Sequence, residues 1–104
     1  MNQAERRFEL DNKFRSIPGL EHVYFQPPES VRLQYPCIIY TTARNLSRYA
    51  DNEKYVRGTR YTVKLISKDP DEPLREYLEQ FRYCELASFY TANNLNHFVY
   101  DLVY

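Results

Sequence analysis

The sequence predicts an α+β fold: two layers, a mostly antiparallel sheet of about four or five strands, and two helices on one face. Three observations predict it. Apolar residues recur at helical spacing near the N-terminus and again over residues 70–81. From Thr59 to Lys68 apolar and polar residues alternate, as in a half-buried strand. An Asn93-Asn94 pair joins two further apolar runs, and Asn tolerates the positive φ that a tight hairpin turn needs.

Taken in order, residues Asn2 to Ser16 read as the first helix. Leu10, Phe14 and Ile17 fall at i, i+4 and i+7 with charges between them. Pro18-Gly19 ends it. His22-Val23-Tyr24-Phe25 is a short strand, stopped by Pro27-Pro28. Pro36 to Thr42 contains Cys37-Ile38-Ile39-Tyr40, a continuous apolar run suited to a strand buried on both faces. Ala43 to Gly58 has no periodicity and is rich in turn formers. A connection of about 16 residues is long for a compact domain and marks this stretch as a candidate working loop.

Thr59 to Lys68 places Tyr61, Val63 and Leu65 on one face. Asp69 is positioned to cap a second helix over about residues 70–81, with Pro70 at its first position. Asp71 and Glu72 suit the positive end of its dipole. Leu74, Tyr77, Leu78 and Phe81 supply its apolar stripe. Tyr83 to Tyr90 and Leu95 to Tyr104 are the two hairpin strands, and Phe98, Tyr100, Leu102 and Tyr104 share a face. The order is α-β-β-loop-β-α-β-β. The expectation is one domain spanning residues 1–104, with no appended site, that works through its surfaces.

Composition narrows the function classes. The chain has 104 residues, 43% of them hydrophobic, which excludes a disordered polymer and allows a modest core. Two glycines leave little scope for a glycine-rich phosphate cradle. Eleven tyrosines exceed what a small core readily holds, so several are expected at protein contacts. Net charge is zero, which gives no global field toward nucleic acid or an anionic membrane and little repulsion against self-association. The longest apolar runs, about four residues, fall far short of a membrane helix, and the polar, charged N-terminal stretch does not read as a signal peptide.

Charge is unevenly distributed. Arg44 to Arg60 holds five basic residues against two acidic ones; Asp69 to Glu79 holds five acidic residues against one basic. The first stretch interleaves Arg44, Arg48, Arg57 and Arg60 with Tyr49 and Tyr55. The stretch reads first as a solvated loop and next as a protein contact, since Tyr and Arg dominate protein interface hot spots. The same composition suits a single-stranded nucleic acid held by stacking and charge. The second stretch offers Asp71, Glu72, Glu76 and Glu79.

No chemical constellation emerges. His22 and His97 each stand alone, and Cys37 and Cys84 have no zinc or redox spacing. They read as buried free thiols, with a disulfide open only to adjacent strands of suitable geometry. Helix capping accounts for Asp69, Asp71 and Glu72 without a metal, and no triad signature is present. The expectation is a protein without enzymatic activity, metal or cofactor.

Three segments carry a resemblance. They are Tyr35-Pro36-Cys37-Ile38-Ile39-Tyr40, a strand entered through Pro; Arg60-Tyr61-Thr62-Val63-Lys64-Leu65-Ile66-Ser67-Lys68-Asp69-Pro70, a strand running into an Asp-Pro helix start; and the closing hairpin from Phe89 to Tyr104. With the N-terminal helix, in this order and length, the chain resembles the tail-terminator (tail-completion) proteins of tailed bacteriophages. The resemblance covers most of the chain, although this chain is more compact than the family around its helix and connecting loop. It implies a structural virion protein, assembled in the host cytoplasm. Such a protein forms a ring, typically a hexamer, that caps the tail tube and ends its polymerisation. The implied partners are other copies of the chain, the tail tube protein, the head-side connector or stopper protein, and the sheath of a contractile tail. Genome DNA would pass through the lumen without sequence-specific binding, and no membrane is involved. Head-completion and stopper proteins of the neck are the nearest alternative. A small nucleic-acid-binding module using the 44–60 loop is the other.

Overall fold

The structure is a computed structural model and describes residues 2–43 and 58–104. The candidate residues Arg44, Arg48, Tyr49, Tyr55 and Arg57 lie outside the described residues.

Helix α1 spans Gln3–Arg15. Its start follows from Asn2, whose side-chain oxygen accepts the Glu5 backbone N–H at 2.9 Å and satisfies one of the free donors of the first turn. Leu10 and Phe14 face inward and are fully buried, and Ile17 follows them into the core. Gly19, at φ +86, turns the chain away from the helix.

Strands β1 (His22–Phe25), β2 (Cys37–Thr42), β3 (Arg60–Ser67), β4 (Cys84–Ala92) and β5 (Leu95–Val103) form one sheet in the order β1-β2-β3-β5-β4. The β1–β2 pair is parallel and the other three pairs are antiparallel. Strand β5 inserts between β3 and β4, so β3 and β4 run the same way with one strand between them. Asn93 and Asn94 take φ +54 and +62, the left-handed values a two-residue hairpin loop requires. The mostly antiparallel, five-stranded α+β architecture is the one the sequence predicts.

Both helices lie on one face of the sheet. There Val23, Ile38, Tyr40, Tyr61, Val63, Leu65, Phe98, Tyr100 and Leu102 meet Leu10, Phe14, Leu74 and Leu78 in a single core. Three tyrosines are fully buried in it, and Phe14 meets Tyr40 edge-on at 5.2 Å between ring centroids. Gly58 closes the far end of β3. It adopts φ +151, and a Cβ there would sit 2.5 Å from the Tyr104 carbonyl oxygen. That close approach lets Thr59 and Tyr104 exchange backbone hydrogen bonds at 2.9 and 3.0 Å.

The second helix is far shorter than the predicted span. Helix α2 is Arg75–Leu78, four residues. Asp69 does not cap a helix; its Oδ1 accepts the Asp71 N–H at 2.9 Å and makes a local turn instead. Pro70 and Pro73 lack N–H groups, and Glu72 captures the Leu74 N–H at 2.9 Å. The flanking residues close i to i+3 bonds, such as Glu76 N to Pro73 O at 3.2 Å and Phe81 N to Leu78 O at 3.1 Å. Two prolines and two side-chain caps divide the segment into tight turns around one α-helical turn.

Cys37 and Cys84 are free thiols. They stand on β2 and β4, with β3 and β5 between. Three strand spacings amount to about 14 Å, which rules out a disulfide between them.

Candidate interface surfaces

The acidic candidates surround α2, and the structure separates them into two kinds. Asp71 and Glu76 are exposed. Glu72 is buried: one carboxylate oxygen accepts the Ser67 hydroxyl at 2.8 Å and the other the Leu74 N–H. It holds the turn together and takes no part in the acidic surface. Glu79 is exposed but engaged. Its Oε2 accepts the Tyr100 hydroxyl at 2.8 Å and pairs with Arg75 Nη2 at 3.3 Å. Arg75 Nε in turn donates to the Tyr100 hydroxyl at 3.0 Å, and its guanidinium lies 4.7 Å from the Phe98 ring centroid. Burial pushes the Tyr100 hydroxyl up to about 12, Arg75 opposing and Glu79 assisting. Asp71 and Glu76 remain as the solvent-facing negative charges among the four acidic candidates.

Arg60, the basic candidate within the described residues, stands on the sheet face opposite the helices. Its side chain is 13% exposed and pairs with Asp101 at 3.4 Å. It anchors β3 to β5 across the open face. The structure therefore does not gather the predicted charges into one site: Arg60 lies on one face of the sheet and the acidic turn on the other.

The open face carries its own chemistry. Ile39, Thr62, Lys64, Ile66, Tyr90 and His97 line a shallow depression of about 190 Å³. Tyr90 stacks on His97 with centroids 4.5 Å apart and planes 9° from parallel. Lys64 Nζ lies 5.9 Å from the Tyr90 ring centroid.

A third surface is one that the sequence pattern does not single out. In β4 the seven residues from Glu85 to Thr91 are all exposed. Leu86, Phe89 and Tyr90 each expose more than a third of their surface, as does Tyr83 just before the strand. Among the described residues the strand is an edge, paired with β5 alone, and a register shift lies between Leu86 and Ser88. One signal was legible beforehand: nine residues with a single charge, Glu85. A cleft of about 490 Å³ beside it runs between the end of α1 and residues 77–83, lined by Lys13, Tyr77, Phe81, Arg82, Tyr83 and Tyr104.

Among the described residues, no three His, Cys, Asp or Glu side chains converge as a metal site would need. The thiols are held protonated: burial pushes Cys37 up to about 11 and Cys84 up to about 12. The described surface offers exposed rings and an open strand, and its clefts hold no paired nucleophile and base.

No protein-family model, curated protein or solved structure matches this chain.

Exposed Tyr, Phe and Leu side chains beside fixed charges are the composition of an interface centre with a polar rim.

Proposed function

We propose that this chain is a structural assembly protein of a phage virion. It forms a ring that caps the tail tube, ends tube polymerisation and offers a surface to the head-side connector. The observation that carries the reading is the order of elements read in the sequence: an N-terminal helix, a strand entered through Pro36, a strand running into Asp69-Pro70, and a closing hairpin. The exposed rings of Tyr77, Tyr83, Phe89 and Tyr90 support it, because they supply contact surface beyond what the core uses. So does the separation of charges of opposite sign along the sequence. Asp71 and Glu76 are exposed near α2, and the basic stretch Arg44 to Arg57 follows β2 in the sequence. Opposed patches on one subunit suit head-to-tail contacts around a closed ring, giving register and encounter rate.

Immunogold labelling of particles released from the source culture tests this. Gold confined to the head–tail junction is the expected result, and it leaves terminator and stopper as the two neighbouring roles. Particles without label, beside a virion control protein that labels well, overturn the assembly role. Strongly salt-dependent binding to single-stranded DNA would then mark the alternative of a nucleic-acid-binding module.

A further inference from the structure

We propose that the cleft between the end of α1 and residues 77–83 is the receiving half of a subunit contact, and that its occupant is the acidic turn, residues 69–76, of a second copy of the chain. This deepens the ring reading and rests on it: it names two surfaces through which one copy holds the next.

The two surfaces lie on two flanks of α2. Successive residues of a helix point about 100° apart. Glu76 and Glu79 line a hollow of about 330 Å³ with Asp71, while Tyr77 and Gln80 line the cleft of about 490 Å³. A copy cannot bring its own turn into its own cleft, because α2 stands between them. The contact therefore joins different patches of two copies, and it closes as a ring or runs on as a filament.

Charge identifies the occupant. The charged residues lining the cleft are Lys13 and Arg82, both exposed, and among the described residues no carboxylate lines it. Each cation rests on a ring. Lys13 Nζ lies 5.0 Å from the Tyr104 ring centroid, and the Arg82 guanidinium lies 5.4 Å from that of Tyr83. The neighbouring carboxylates are placed elsewhere. Glu9 accepts the Tyr104 hydroxyl. Asp101 pairs with Arg60 at 3.4 Å, in a separate hollow that Arg82 and Glu85 also line. Neither Lys13 nor Arg82 has an ion pair among the described residues.

On the other flank the balance is reversed. Asp69, Asp71 and Glu76 are exposed beside one exposed cation, Lys68. Arg75 lines the hollow too, but Glu79 and Tyr100 engage it. The Asp71 and Glu76 carboxylates form no hydrogen bond or ion pair among the described residues. Two carboxylates without a cation in one copy thus match two cations without a carboxylate in the next. Such a match sets register and encounter rate.

Stiffness and ring chemistry favour the same occupant. Asp69 Oδ1 holds the Asp71 N–H at 2.9 Å, and buried Glu72 holds the Ser67 hydroxyl and the Leu74 N–H. A turn already held in place loses little freedom on docking. Pro70 and Pro73 beside the acids are exposed, and the cleft offers the exposed rings of Tyr77 and Tyr83. Proline rings pack on aromatic side chains, as in the aromatic-lined grooves that receive Pro-rich segments.

Sedimentation velocity of the full chain tests the contact, with circular dichroism as the fold control. Lys13→Glu/Arg82→Glu makes the cleft acidic, and Asp71→Lys/Glu76→Lys makes the turn basic. Each double variant alone is expected to weaken association about tenfold or more. An equimolar mixture of the two is expected to restore it, because the turn of each then matches the cleft of the other. Arg82→Glu alone leaves the end of α1 untouched and repeats the first test without a new charge at the helix terminus. A chain that is monomeric at every concentration, association indifferent to both double variants, or a mixture that stays dissociated overturns the contact. The two readings fail separately. Rings that form at the head–tail junction in both variants leave the ring and remove this contact. Association restored by mixing, in a protein that immunogold does not find on particles, keeps the contact and removes the virion role.

Discussion

Tyr100 and Tyr61 are both fully buried, yet their hydroxyls live differently. The Tyr100 hydroxyl donates to Glu79 and accepts from Arg75. The Tyr61 hydroxyl has no hydrogen-bond partner among the described residues. Removing Tyr100's oxygen leaves Arg75 and Glu79 without a shared partner, so Tyr100→Phe should cost about 1–3 kcal/mol, while Tyr61→Phe should stay within about 0.5 kcal/mol of wild type. Urea denaturation of both variants checks this, and equal losses would refute it. Protonation acts at the same scale. Cys37 rises from its ordinary value of 9.0 to about 11, Cys84 from 9.0 to about 12, and Tyr100 from 10.0 to about 12, burial leading in each case. The unfolded chain loses these protons first, so between those limits the folded chain holds more of them. Stability from these groups is then fully present below pH 9 and falls as the pH rises toward 12. The urea midpoint should drop between pH 9 and pH 11, and Cys37→Ala should soften the onset; a midpoint insensitive to pH across that range would contradict the argument.

At the scale of elements, α2 and its approach form the least regular part of the fold, and Glu72 holds it. Its two carboxylate oxygens satisfy the Ser67 hydroxyl and the Leu74 N–H inside the protein. Glu72→Ala leaves both donors without that acceptor and should cost about 1–3 kcal/mol per stranded group, with hydrogen exchange rising first in the turns around α2. Exchange rising uniformly across the sheet would show instead that the turn and sheet open as one unit. Most elements were legible in the residues. Leu10 and Phe14 placed α1, the alternation of Tyr61, Val63 and Leu65 placed β3, and Asn93-Asn94 placed the hairpin, because each pattern repeats with the period of its own backbone. The extent of α2 was not legible. Leu74, Tyr77, Leu78 and Phe81 have helical spacing, but tight turns also bring Leu74, Leu78 and Phe81 to the core and leave Tyr77 exposed.

For the whole molecule, the question is which charges face outward. The Glu76 carboxylate is exposed and makes no hydrogen bond or ion pair among the described residues, so Glu76→Lys should leave the fold stable and weaken ring assembly, read by native mass and electron microscopy. Arg60→Glu should also weaken assembly, but it breaks the Asp101 pair as well and should lower stability in step. Rings that form normally in Glu76→Lys would show that charge pairing is not what joins subunits. The candidate charges were visible in the sequence, because composition shows where charge accumulates along the chain. Their grouping was not: Glu72 went inside, Glu79 was taken by Tyr100 and Arg75, and Arg60 faced the other side of the sheet.

The sequence by itself determined the fold class, the order of elements and the buried side of β3 and β5, since these follow from local periodicity, turn residues and the prolines. Strand β2, expected to be buried on both faces, is half-exposed at Ile39 and Thr41 because no second layer covers the open face among the described residues. Only the tertiary structure decided which tyrosines are core, that Cys37 and Cys84 stand three strands apart, and that β4 lies at an edge with its apolar residues in solvent. Those properties depend on strand order. Strand order is set by contacts between residues far apart in the chain, which no local pattern encodes.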